Sequence, residues 1–123
     1  MPDKVLLVDD DEDLLEIVSE RLKNRGMDVD TVGNAEEALL WMAKKHYDAI
    51  ILDFLMPGMD GFETIRTIRK QQPHIRILLV TGQMPNDDGK KAIQMGADLV
   101  FEKPADLEVL AKSIRSSDEQ IVS

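Results

Sequence analysis

The stretch that most limits what this chain can fold into is Tyr47 to Gly61, YDAIILDFLMPGMDG. Its Ala49–Leu52 segment is an unbroken apolar run, the pattern of a strand buried on both faces of a parallel sheet. The run stops at Asp53, and Pro57, Gly58 and Gly61 then predict a loop over the strand's end. In open α/β sheets ligands bind outside the carboxyl ends of the strands. Asp53 therefore stands where a ligand-binding group belongs, although an acid there can equally cap a turn. The other strand ends bear on the choice.

Val5–Val8 is a second buried-strand run, and it ends in Asp9, Asp10 and Asp11. Glu12 to about Arg25 predicts a helix, with Leu14, Val18 and Leu22 on one stripe and Leu15 and Ile17 flanking it. Asp11 suits its N-cap and Gly26 its C-terminal stop. Asp28–Val32 alternates acid and apolar residues, as an edge strand does. Asn34 and Glu37 form a capping-box start for a helix carrying Ala38, Leu39 and Met42 to about Lys45. After the central strand, a third helix places Phe62, Ile65 and Ile68 inward and stops before Pro73.

Ile75–Val80 is a fourth strand, closed by Thr81 and Gly82. Pro85–Met95 predicts a helix weakened in its first half by Asn86, Asp87, Asp88 and Gly89, and so the most mobile one. Leu99–Phe101 is a short fifth strand, followed by Glu102, Lys103 and Pro104. A last helix with Leu107, Leu110 and Ile114 inward runs to about Arg115. Strands alternating with helices imply a parallel sheet covered on both faces, with right-handed crossovers. The flavodoxin-like order 2-1-3-4-5 fits, because the second strand reads as an edge and the third as central. The expected organisation is one domain over residues 1–115, then a polar tail or start of a linker at 116–123.

This topology brings Asp9, Asp10 and Asp53 to one rim, with Thr81 and Lys103 arriving on the fourth and fifth strands. Crowded carboxylates repel unless something positive sits among them. Lys103 and a hard divalent cation are the two suppliers, and Mg²⁺ takes oxygen ligands from one or two carboxylates. The chain has no cysteine, and His46 and His74 are expected at the surface away from this rim, so zinc or haem is poorly served. A cation on Asp10 and Asp53, the Lys103 ammonium and the Thr81 hydroxyl together suit a phosphoryl group, with an Asp carboxylate as nucleophile. Taken singly, Asp9–Asp11 also read as a solvated helix N-terminus and Thr81 as a turn residue.

With 24 acidic residues against 15 Lys and Arg, the formal charge of −9 repels phosphate backbones. Direct nucleic-acid binding by this chain is therefore not expected. No apolar run approaches the ~20 residues of a membrane span, and the start MPDK lacks a signal-peptide pattern. A cytoplasmic location is the expectation.

In LLVDDD, ILDFLMPGMDG, LLVTG and EKP, in that order, the chain resembles the receiver domain of bacterial two-component response regulators from Lys4 to Arg115. The resemblance implies that Asp53 accepts phosphoryl from the phosphohistidine of a sensor kinase or phosphotransfer protein. It implies that Asp10 is the principal Mg²⁺ ligand, with Asp9 in support and Leu55 giving its backbone carbonyl. Thr81 would be the switch hydroxyl, Lys103 the lysine pairing with the phosphoryl group, and Lys103–Pro104 a cis bond. The fourth helix, fifth strand and fifth helix would form the responsive surface, read by an output domain or partner or joined in a homodimer. Helix one would offer Asp11 to Leu22 to the kinase. Four positions depart from the family or vary within it. Val100 stands where an aromatic is common, Ala105 where Phe is frequent, and Leu55 and Gln83 where dephosphorylation rate varies.

Three other functions fit parts of this pattern. A small Mg²⁺-dependent phosphatase or phosphotransferase would use the same aspartate, but the chain offers no cap domain. A flavin module would need a phosphate loop after the first strand, which is absent. A receiver that signals by binding alone would not need all five site residues. The leading expectation is a phosphorylation-driven switch that catalyses only its own phosphorylation and dephosphorylation.

Overall fold

The computed structural model describes residues 3–58, 60–82 and 87–115. The strands are β1 (Lys4–Val8), β2 (Asp28–Val32), β3 (Ala49–Asp53), β4 (Arg76–Thr81) and β5 (Leu99–Glu102). Between and after them run α1 (Glu12–Asn24), α2 (Ala35–Lys44), α3 (Gly61–Gln71), α4 (Asp88–Met95) and α5 (Leu107–Arg115). The strands form one parallel sheet in the order β2-β1-β3-β4-β5. The order agrees with the sequence expectation because the most continuous apolar run, β3, is the central strand and is buried throughout.

Alternation along the strands divides the core in two. Leu6, Val8, Ile50, Leu52, Ile77 and Leu79 pack with Ala38 and Met42 of α2, Ile65 and Ile68 of α3 and Ala92 of α4. Val5, Leu7, Ala49, Ile51, Leu78 and Val80 face Leu15 and Leu22 of α1 and Leu110, Ala111 and Ile114 of α5. Burying each Val, Leu, Ile or Met among these contributes about 1.5–3 kcal/mol, so the two layers fix where every strand end lies.

The helix starts are set by local hydrogen bonds. Asp11 accepts from the Leu14 N–H at 3.2 Å, and Asn34 from the Glu37 N–H at 2.8 Å. Glu37 reaches back to the Gly33 N–H, one residue short of the usual box partner. The buried stripe of α1 differs from the sequence reading. It is Leu15, Ser19 and Leu22, with Leu14 and Val18 half-buried and Ile17 exposed. Ser19 can enter because its hydroxyl donates to the Glu16 carbonyl at 3.1 Å, removing the cost of an unpaired polar group. In the described residues α4 begins at Asp88; Pro85, Asn86, Gln83 and the segment 116–123 lie outside them.

Arg69 fastens the second half of the molecule. Its guanidinium donates to the carbonyls of Pro73 at 2.9 Å, Ile75 at 2.6 Å and Gly96 at 2.5 Å, and to Asp98 at 3.0 Å. Asp98 in turn accepts from the Ile77 N–H at 2.7 Å. Arg69→Met keeps the apolar stem and removes every donor. Urea unfolding is expected to show a loss of about 2–3 kcal/mol, because the partly buried Ile75 and Gly96 carbonyls lose charge-assisted partners.

Candidate functional site

β1 and β3 are neighbours with Val8 level with Leu52, so the residues that follow, Asp9 and Asp53, emerge side by side. β4 lies on the other flank of β3 with Val80 level with Asp53, which puts Thr81 at the same rim. β5 completes it, since the Lys103 N–H donates to the Thr81 carbonyl at 2.8 Å. Carboxylate oxygens of Asp9, Asp10 and Asp53 lie within 4.8 Å of one another. Asp9, Asp53 and Thr81 are buried, while Asp10 is exposed.

The Lys103 ammonium sits 2.9 Å from Asp9 and 3.3 Å from Asp53. Asp9 is thus the closer partner of the lysine, a role that sequence reasoning did not give it. The only signal for it was an acid on the neighbouring strand end. Asp9 also accepts from the Asp11 N–H at 2.9 Å, and Asp53 from the Leu55 N–H at 3.2 Å. The Lys103–Pro104 bond is cis, as the resemblance implied.

Burial pushes the Asp53 carboxyl above its ordinary value, and the Asp9 charge adds to the push. Lys103 and the Leu55 N–H offset only part of it. For Lys103, burial works to lower the pKa, but hydrogen bonding to Asp9 and the charges of Asp53 and Asp9 outweigh it. The ammonium is therefore held charged well past neutrality. One cation against three carboxylates leaves the rim short of positive charge.

That shortfall, with an all-oxygen donor set, fits a hard divalent cation. His46 and His74 are exposed, as expected of surface residues. Beside Asp53 and Lys103 opens a cavity of about 460 Å³ between α1 and α5, lined by Leu14, Ile17, Pro104 and Ala105 among others. Ala105, Asp9 and Asp53 line it together. Val100 packs on the α2–α3–α4 side of the sheet and Phe101 on the other, so β5 brings no ring to the side that carries α4.

Fold and site together define a doubly wound α/β domain with an acidic centre at its topological switch point. The chain belongs to the response regulator receiver domain family, whose sequence model matches residues 5–115. It is a receiver domain of two-component response regulators. A transcriptional regulatory protein, the CpxR homolog of Haemophilus influenzae, is 36% identical over 110 residues, covering 89% of this chain. This chain spans 48% of that regulator's length.

Among solved structures, a CheY-like receiver domain from Methanospirillum hungatei superposes with a TM-score of 0.90 at 26% identity, covering 99% of this chain and 98% of that one. A Burkholderia pseudomallei response regulator, solved with a phosphorylated aspartic acid, calcium and citrate, gives a TM-score of 0.87 at 26% identity. That match covers 98% of this chain and 71% of the other. Among the described residues, no helix is long and apolar enough to cross a membrane.

Proposed function

We propose that Asp53 is the phosphoacceptor of a two-component phosphorelay. The observation that carries this reading is a buried carboxylate, made more basic by burial and by Asp9, with the Lys103 ammonium 3.3 Å away. An Asp53 oxygen attacks the phosphorus of a phosphohistidine on a sensor kinase or phosphotransfer protein. The P–N bond breaks, and the imidazole leaves with its electron pair and takes up a proton. Lys103 offsets charge on the phosphoryl oxygens, and the Thr81 hydroxyl moves to donate a hydrogen bond to them.

Asp10 and Asp53, the Leu55 backbone carbonyl and Asp9 in support would hold Mg²⁺. When bound, Mg²⁺ supplies positive charge that offsets the carboxylates and the transferring oxygens. The Burkholderia structure, with its phosphorylated aspartate and calcium, is in keeping with both assignments. The groove lined by Leu14, Ile17 and Pro104 would receive the donor protein.

The surface of α4, β5 and α5 changes with phosphorylation and engages an output domain, a partner protein or a second copy of the chain. The domain, residues 1–115 with a tail or linker after it, catalyses only its own phosphorylation and dephosphorylation. It acts in the cytoplasm, with no membrane partner and no direct binding of nucleic acid by this chain. The test is intact mass after incubation with acetyl phosphate and Mg²⁺. One labile phosphoryl adduct, absent with chelator, is expected; a protein that stays unmodified with this donor and with phosphorylated kinases contradicts the reading.

A further inference from the structure

Strand β3 ends with two side chains that point to opposite faces. The Asp53 carboxylate faces Lys103, whereas Phe54 joins the core cluster beneath α3 and α4. The two peptides flanking Phe54 are both held: the Phe54 N–H donates to the Val80 carbonyl at 3.1 Å and the Leu55 N–H to the Asp53 carboxylate at 3.2 Å. A change at the carboxylate therefore reaches the backbone on the C-terminal side of Phe54 through the Leu55 N–H. The Phe54 ring has little room, because a Cβ on Gly61 would come within 2.5 Å of it. The ring meets Phe62 edge-on, with centroids 5.1 Å apart and an interplanar angle of 69°. Above the Phe62 face, 4.3 Å from its centroid, lies the ammonium of Lys91 on α4.

We propose that Phe54, Phe62 and Lys91 form the relay by which the state of Asp53 reaches α4. The proposal rests on the reading of Asp53 as phosphoacceptor. Converting that carboxylate to an acyl phosphate weakens it as an acceptor for the Leu55 N–H, whichever oxygen carries the phosphoryl group. The Phe54 peptide is released to shift, and the ring displaces Phe62 because Gly61 closes the other direction. Cation–π attraction depends on the position of the ring face, so Lys91 follows or detaches.

The tethering of α4 turns this into a tilt. The turn at its C-terminal end is pinned by Arg69 through the Gly96 carbonyl and Asp98, whereas Asp87 gives its N-terminus no side-chain cap. β5 offers no alternative ring on this face, where it presents Val100.

The test is amide hydrogen exchange over Asp88–Met95, with and without acetyl phosphate and Mg²⁺. It uses the wild type, Lys91→Met, Lys91→Arg and Phe62→Leu, with phosphoryl occupancy read by intact mass. Lys91 is exposed, so Lys91→Met removes the cation without opening the core. At equal occupancy, Lys91→Met is expected to shrink the α4 response about 2- to 5-fold, Lys91→Arg to keep it and Phe62→Leu to shrink it similarly. A response in Lys91→Met and Phe62→Leu equal to that of the wild type overturns the relay alone, as does a wild-type α4 that does not respond. A wild type that takes no phosphoryl group overturns the phosphoacceptor reading and the relay together.

Discussion

Lys103→Met is expected to lower the free energy of unfolding by about 2–4 kcal/mol in the absence of divalent cations. Removing one partner of a fully buried ion pair costs about 3–5 kcal/mol, because the remaining charge is stranded. Here the Asp9 and Asp53 side chains are only 6% and 5% exposed, but Lys103 keeps 27% of its own surface, and solvent screens part of the effect. Methionine preserves the stem's packing, so the loss reports the ammonium. Millimolar Mg²⁺ is expected to restore much of the deficit by replacing the missing positive charge. Urea melts with and without Mg²⁺ check this; a variant as stable as the wild type in chelator would remove the electrostatic account of the rim.

Asp53→Asn is expected to act in the opposite direction, raising stability by about 1–2 kcal/mol in chelator at neutral pH. The folded-state pKa of Asp53 is raised above the ordinary 3.8, by burial first and by Asp9 second. The folded chain therefore binds that proton more tightly than the unfolded chain does. Ionised Asp53 costs stability above its folded pKa, and the cost fades as pH falls through that value. The gap between variant and wild type is expected to be widest near neutrality and to narrow in acid. Asparagine keeps an acceptor for the Leu55 N–H while leaving Lys103 to Asp9, so no partner is stranded. Thermal melts across pH check the sign, and a variant less stable than the wild type at neutral pH contradicts it.

The sheet was legible because its three inner strands are buried on both faces and end abruptly in polar residues. Val5–Val8 closing on Asp9 and Ala49–Leu52 closing on Asp53 mark both the strands and the rim they share. The register of α1 was harder to read, because Leu14, Leu15, Ile17, Val18 and Leu22 span too wide an arc for one stripe. What decided it was α5 packed beside α1 on the same face of the sheet and a serine able to satisfy its own hydroxyl, neither of which a local pattern encodes. The lysine's preference for Asp9 over Asp53 is a matter of tenths of an ångström in a three-strand junction. The meeting of Phe54 with Gly61, and of Phe62 with Lys91, joins residues by close approach in space. Spacing along the chain carries no mark of either contact.

In the proposed function one carboxylate, Asp53, receives the phosphoryl group. Protein exposed to acetyl phosphate with Mg²⁺, then digested and mapped by tandem mass spectrometry, tests it most directly when run beside Asp53→Asn. A single modified site on the peptide carrying Asp53 is expected, with no modification in the variant. Phosphoryl on Asp9, Asp10, His46 or His74 of the wild type, or an undiminished adduct on Asp53→Asn, would contradict it.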